Sequence, residues 1–356
     1  MTRALNNILI TGGAGFIGSN FIHYLSGQKD FQGRIINADC LTYAGNPENL
    51  AEIEEKWGGK RYFFVKANIR DHASMKALFS KYNIDTVIHF AAESHVDRSI
   101  YGPKEFIDTN IIGTFTLLES ARESWKERDD VLFHHISTDE VFGSLGEKGA
   151  FSEETPYRPN SPYSASKASS DHLVRAYFMT YGLPATISNC SNNYGPYQFP
   201  EKMIPLMILN ALEGKDLPVY GDGQNIRDWL YVRDHCDAVW TIVNKGKKGE
   251  TYNVGGENEW KNIDLVRLLC RQVSDLTGRS SDEYTDRIRF VKDRPGHDRR
   301  YAINCGKIKK ELGWKPSCHF EQGLLETIVW YRDHSPWVNN VKNGSYKEWV
   351  EKHYHG

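Results

Sequence analysis

Short apolar runs recur along the chain at Asn7 to Thr11, Arg34 to Ala38, Tyr62 to Lys66, Thr86 to Phe90, Val131 to Ser137 and Ala185 to Cys190. Helix-length mixtures of polar and apolar residues separate them. Strand and helix alternating in this way predict a parallel sheet with crossover helices. The segment Pro159-Asn160-Ser161-Pro162 breaks the chain, then supplies a Ser N-cap and a Pro at the first helical position. Helix-compatible sequence continues from there to about Tyr181. After Cys190 the pattern becomes irregular, and Gly195-Pro196, Phe199-Pro200 and Tyr220-Gly221-Asp222-Gly223 mark loops between short helices. The expected fold is α/β: a Rossmann-type doubly wound parallel sheet with a smaller interleaved α+β lobe. Residues 1–190 form the larger unit, with 230–255 returning to it; 191–229 and 256–356 form the smaller.

Composition narrows the functional classes. The chain has 356 residues, 40% of them hydrophobic, enough for a large core and two lobes around a cleft. A formal net charge of −2 provides no global field to select nucleic acid or an anionic membrane, so a small ligand is the expected partner. No apolar stretch has the length of a signal peptide or a membrane span, and the expected location is the cytoplasm. The six cysteines show no C-x-x-C spacing, and the 13 histidines offer no helical ligand pair. No metal site is expected.

Directly after the first run comes Gly12-Gly13-Ala14-Gly15-Phe16-Ile17-Gly18. Its G-x-x-G-x-x-G spacing lets backbone approach a pyrophosphate at a helix N-terminus, where a Cβ would obstruct it. A bare glycine-rich turn means little. This one opens a helix after the first strand and is followed about twenty residues later by Asp39, the distance expected of a ribose-binding acid. A carboxylate there accepts from ribose hydroxyls and repels a 2′-phosphate, which favours NAD over NADP. The larger unit is thus the NAD-binding domain. Asn68-Ile69 and Phe90-Ala91-Ala92-Glu93-Ser94 follow the third and fourth strands, at the carboxyl ends where such folds bind ligands.

Tyr163 and Lys167 stand four residues apart in the opening turns of the predicted helix. They share a face, so an ammonium can approach the phenol and favour its phenolate. Such a pair is ordinarily just an exposed helix face, but its place downstream of a dinucleotide loop points to a base acting on a hydroxyl while hydride leaves carbon. Asp139 and Glu140, in the run Thr138-Asp139-Glu140-Val141-Phe142-Gly143, are surplus to an oxidation. Elimination of water would use both, one as acid and one as base.

Taken together, these segments resemble the extended short-chain dehydrogenase/reductase family of nucleotide-sugar enzymes. Within it, Thr138 to Gly143 is similar to the T-D-E-V-Y-G segment of dTDP-glucose 4,6-dehydratases, and Ala91 to Ser99 matches theirs closely. Further matches run through Ser191 to Lys202, Pro218 to Trp229 and Asp293 to Asp298. Two departures are Phe142, where Tyr is common, and Asn68, where an acidic residue often meets the adenine.

The resemblance implies a mechanism and a residue set. Tyr163 would take the 4-hydroxyl proton of dTDP-glucose while hydride passes to NAD, with Thr138 and Lys167 orienting oxygen and ribose. Glu140 would then remove the C5 proton and Asp139 protonate the departing 6-hydroxyl, before hydride returns to C6 and a proton to C5 to give dTDP-4-keto-6-deoxy-glucose. The cofactor set comprises Gly12, Gly15, Phe16, Ile17, Gly18, Asp39, Leu41, Thr42, Asn68, Ile69, Phe90, Ala91, Ala92, Ser94, Thr109 and Asn193, with Tyr163 and Lys167. The smaller lobe would bind the nucleotide sugar through Asn192, Lys202, Met203, Pro218, Tyr220, Arg227, Asn262, Arg294 and His297, with Ser94 and Thr138 near the sugar. A homodimer is implied, through the helix-like stretches Lys104 to Ser124 and Pro162 to Tyr181. The rival readings are a UDP-hexose 4-epimerase, a UDP-glucuronate decarboxylase and, outside enzymes, a catalytically silent NAD-binding regulator.

Overall fold

The computed structural model describes Arg3 and residues 5–126, 128–293 and 296–342. Strands follow in chain order as β1 (Asn7–Thr11), β2 (Arg34–Asp39), β3 (Tyr62–Lys66), β4 (Thr86–His89), β5 (Leu132–Thr138) and β6 (Ala185–Cys190). Next come β7 (Asn192–Tyr194), β8 (Leu217–Tyr220), β9 (Ile226–Tyr231), β10 (Thr251–Val254), β11 (Glu259–Lys261) and β12 (Ile288–Val291). Seven of them form one sheet in the order β10-β6-β5-β4-β1-β2-β3, with every neighbouring pair parallel.

Helices cover both faces, so the central strands β1, β4, β5 and β6 are buried along their whole length. Successive side chains serve opposite layers. Ile8 and Ile10 pack with Phe21 and Leu25 of the helix Phe16–Ser26 and with Val239 of the helix Val232–Lys245. Leu9 between them packs with Phe79 of His72–Tyr82 and Leu117 of Thr114–Trp125. The helix Val232–Lys245 thus brings the chain back beneath the sheet before β10 adds to its edge.

The smaller lobe is built on a three-stranded sheet, β11-β9-β7, and a parallel pair, β8 with β12. Helices Met203–Glu213, Asn262–Thr277 and Phe320–Asp333 close its core around Ile208, Leu265, Leu269, Phe320 and Leu324.

The helix expected from Ser161 runs Pro162–Tyr181: Ser161 Oγ accepts from the Ser164 amide at 3.1 Å, and Gly182 ends it at φ +66°. The stretch expected as one helix from Lys104 to Ser124 is instead divided into Pro103–Phe106, a π-helical turn Ile107–Gly113 and Thr114–Trp125. At the widened turn, Asn110 leaves the helix pattern to serve its neighbours: its side chain accepts from the Glu93 amide at 2.9 Å and donates to the Glu93 carbonyl at 3.0 Å. One buried amide therefore holds the segment after β4, and the π turn supplies the room.

Candidate active site

The cleft opens at the carboxyl ends of the strands, where β1 has β2 on one side and β4 on the other, the point at which such sheets bind ligands. Gly12 leaves β1 at φ +70°, and a Cβ there would stand 2.6 Å from the Ala91 backbone. At Gly18 a Cβ would meet the Gly12 carbonyl at 2.3 Å. Only glycine allows helix and strand to close this tightly. Gly15 has a different role: it is the N-cap of Phe16–Ser26, no side chain caps that end, and the helix amides stay available to an anion.

Asp39, at the end of β2, accepts from the Ala14 amide at 2.9 Å and the Leu41 amide at 2.8 Å. Burial raises its carboxyl above the ordinary range despite these two bonds. It therefore ties the glycine-rich turn to the chain leaving β2 as well as facing the cleft. These features fit a dinucleotide: an uncapped helix end, a glycine cradle and an acid at the second strand.

On the opposite wall stand side chains of the smaller lobe. Asn192 and Asn262 each carry a buried side-chain oxygen with no hydrogen-bond partner, the state of a group that a polar ligand would satisfy. Lys202 donates to the Ser94 carbonyl at 3.0 Å, and Tyr220 to Asp97 at 3.3 Å. Arg227 is 6% exposed and donates to the Asp298 carbonyl at 2.9 Å, with its guanidinium 4.3 Å from the Tyr301 ring. His297 is held by Asp293 at 2.6 Å.

Between the walls, β5 ends in Thr138 and a single tight turn, Asp139–Phe142. Thr138 caps it, its hydroxyl accepting from the Glu140 amide at 3.2 Å and lying 3.4 Å from Asp139 Oδ1. Asp139 is 1% exposed, and its other oxygen has no hydrogen-bond partner. Burial, then the neighbouring Glu140 and Asp228, push its carboxyl well above the ordinary range, the direction that favours its acid form. Glu140 reaches further out, 3.5 Å from Ser164 Oγ.

Tyr163, 8% exposed, has its phenol pushed up by burial and by Glu140, with Thr138 opposing them. It needs a positive charge beside the ring to become a base. Lys167 lies on the same helix, but its ammonium donates to the Ile136 carbonyl at 2.8 Å and faces His135 at 3.3 Å.

One cavity of about 460 Å³ joins these walls, within the size range of ligand pockets, roughly 300–1,000 Å³. Of the residues singled out from sequence, Leu41 does not line it and contributes only its amide to Asp39, at φ +56°. Arg294 lies outside the described residues. The others, from Gly12 to His297, all border this space. Sequence reasoning passed over Tyr43, Asn110 and Glu201. Tyr43 donates to Glu201 at 2.9 Å, joining the chain after β2 to the smaller lobe. Glu201 stands beside Lys202 in a segment already marked by resemblance, the one signal that could have found it.

A doubly wound sheet carrying a Tyr-x-x-x-Lys helix, an open dinucleotide turn and a second lobe over the strand ends is the build of a nucleotide-sugar short-chain dehydrogenase/reductase. The chain belongs to this extended family, and a family profile described as GDP-mannose 4,6 dehydratase matches residues 9–327. A dTDP-glucose 4,6-dehydratase of Salmonella typhimurium is 54% identical over 98% of this chain and 99% of its own length. The crystal structure of dTDP-glucose 4,6-dehydratase from Bacillus anthracis in complex with NAD superposes with a TM-score of 0.84 at 47% identity, covering 95% of this chain and all of that one. The enzyme from Streptomyces venezuelae with NAD and dTDP bound gives 0.85 at 43% identity, over 94% of this chain and 100% of that one.

Proposed function

We propose that this chain is an NAD-dependent hydro-lyase that converts dTDP-glucose into dTDP-4-keto-6-deoxy-glucose. The observation that carries the reading is a buried carboxyl, Asp139, beside a second carboxyl, Glu140, in the same cavity as Tyr163. NAD bound against the glycine-rich turn supplies a hydride acceptor for C4 and a donor for C6. Tyr163 receives the proton of the 4-hydroxyl, with Thr138 beside it and Lys167 supplying positive charge on the same helix. The resulting ketone makes the C5 proton acidic, and Glu140 removes it. Asp139 protonates the 6-hydroxyl as it leaves, and Glu140 gives its proton back to C5 once C6 has accepted the hydride. A 4-epimerase, a decarboxylase or a silent NAD-binding regulator has no use for this pair of carboxyls.

The test is mass spectrometry of the product formed from C4-deuterated dTDP-glucose with no added reductant. Loss of one water with deuterium at C6 is the expected result. Unchanged mass with inverted C4 would move the chain to the epimerases.

The assembly we propose is a homodimer. Ile107, Ile112 and Phe115 on one helical stretch, and Met179 and Tyr181 on the neighbouring helix Pro162–Tyr181, are large apolar side chains left exposed. Tyr177 hydrogen-bonds Glu119 at 2.5 Å, so the two helices sit side by side and their apolar groups belong to one region. Light scattering of the purified protein should give twice the chain mass, and Ile112→Glu should shift it to the monomer. A cytoplasmic location accords with six unpaired cysteines and a small-molecule biosynthetic reaction. Among the described residues no helix is long and apolar enough to cross a membrane.

A further inference from the structure

At its inner side Lys167 meets a closed group of polar side chains that the reaction above leaves without a task. Lys167 is 4% exposed. Its Nζ stands 3.3 Å from His135 Nε2, and that imidazole nitrogen stands 3.3 Å from Oδ1 of Asp171, one turn further along the helix. The other oxygen of Asp171 receives Ser137 Oγ at 2.8 Å, the Tyr157 hydroxyl at 2.9 Å and Asn189 Nδ2 at 3.3 Å. An isolated ammonium or carboxylate is unstable in a dry interior, and each becomes tolerable beside the other. Here they occur together with one imidazole between them.

The neighbours identify which groups carry the charge. His135, and His89 whose ring lies 5.2 Å from it, are both kept neutral by burial. The Cys190 thiol beside Lys167 is pushed up to about 12, and the Tyr157 phenol is raised by burial and by Asp171. Lys167 and Asp171 are therefore the two ions of this group near neutrality. Burial lowers Lys167 to about 8, with Asp171 the chief opposing influence, and raises Asp171 to about 6, with Lys167 the chief opposing influence.

We infer that Asp171 is a positioning residue which, held by Ser137, Tyr157 and Asn189, keeps Lys167 in its ammonium form across the His135 ring. The inference deepens the proposed function, in which Lys167 acts as a cation beside Tyr163. Three donors keep the carboxylate ionised, and the carboxylate in turn keeps the lysine charged. Without that counter-charge, burial acts on Lys167 alone and its titration falls further, so the alkaline limb of activity moves to lower pH.

The experiment is Asp171→Asn in the full chain, read in two ways: kcat against pH for the NAD-loaded enzyme, and the titration of the Lys167 Cε carbon by NMR in protein stripped of NAD. Both midpoints should move down by about one unit, and kcat at neutral pH should fall about twofold with little change in KM. Tyr157→Phe, which removes one donor at a half-buried position, should shift both the same way by less, and it decides the matter if Asp171→Asn does not fold. Midpoints that stay in place while kcat or thermal stability falls would overturn the inference and leave Asp171 a packing residue. The NMR titration does not depend on the reaction. A shifted Lys167 in a protein that fails to dehydrate dTDP-glucose would therefore overturn the functional reading and leave this one standing.

Discussion

Arg98 donates to Glu201 through Nε at 3.1 Å, and its Nη2 lies 3.0 Å from the same carboxylate oxygen. One residue follows β4 and the other precedes the first helix of the smaller lobe, so this pair spans the cleft. The Glu201 side chain is 1% exposed, and burial raises its carboxyl above the ordinary range even with Lys202, Arg98 and Tyr43 opposing it. The Arg98 guanidinium in turn lies 3.9 Å from the Tyr43 ring.

Removing one member strands the other. Arg98→Ala should lower unfolding stability by about 3 kcal/mol, because a buried carboxylate loses its cation. Adding Glu201→Gln should recover most of that loss. Urea unfolding of the single and double variants checks this, and equal losses that simply add would show that the pair is not coupled.

Glu140→Gln should stop the reaction after the first hydride transfer. Overall turnover should drop roughly 10²–10⁴-fold, the usual contribution of a general base. Enzyme mixed with dTDP-glucose should then accumulate the near-ultraviolet absorbance of reduced nicotinamide. Full turnover with no such accumulation would remove Glu140 from C5 chemistry.

In the proposed reaction Asp139 is the acid, so activity should persist below its raised folded value and fall as pH rises through it. Stability follows the same sign: a carboxyl raised above the ordinary carboxylate value contributes stability that is fully present below that ordinary value and lost as pH rises through the folded value. Asp139→Asn, which cannot ionise, should therefore gain stability relative to the parent as pH increases, while losing the elimination step. Melting temperatures of both proteins across acid to alkaline buffers test this directly.

The glycine-rich turn separates two effects. Gly12→Ala combines φ +70° with a Cβ 2.6 Å from the Ala91 backbone, and should destabilise the fold by more than about 1 kcal/mol. Gly15→Ala meets only the Gly12 carbonyl, at 3.3 Å, so it should fold normally yet retain less NAD. Thermal melts with quantitation of copurified cofactor distinguish the two.

Much of the larger unit was legible from local pattern. The strand runs matched the observed strands to within a residue at their ends, as with Val131 to Ser137 against Leu132–Thr138. Ser161 and Pro162 marked the start of the Tyr163/Lys167 helix because capping and turn chemistry act over three or four residues. The π turn at Ile107–Gly113 was not legible. Within it Asn110 binds Glu93 seventeen positions away, and nothing in the helix's own periodicity reports that partner.

The sequence by itself determined the order of strands and helices, the dinucleotide turn and the Tyr163/Lys167 spacing. All of these depend on neighbours a few residues apart, where spacing translates directly into geometry. Only the tertiary structure decided that Asp139 is buried beside Glu140 with its carboxyl raised, that Arg98 pairs with Glu201, and that Asp171 stands behind Lys167 across His135. Those facts follow from burial and from charges brought together by distant segments. Desolvation depends on the whole set of groups surrounding a side chain, which no local stretch of sequence contains.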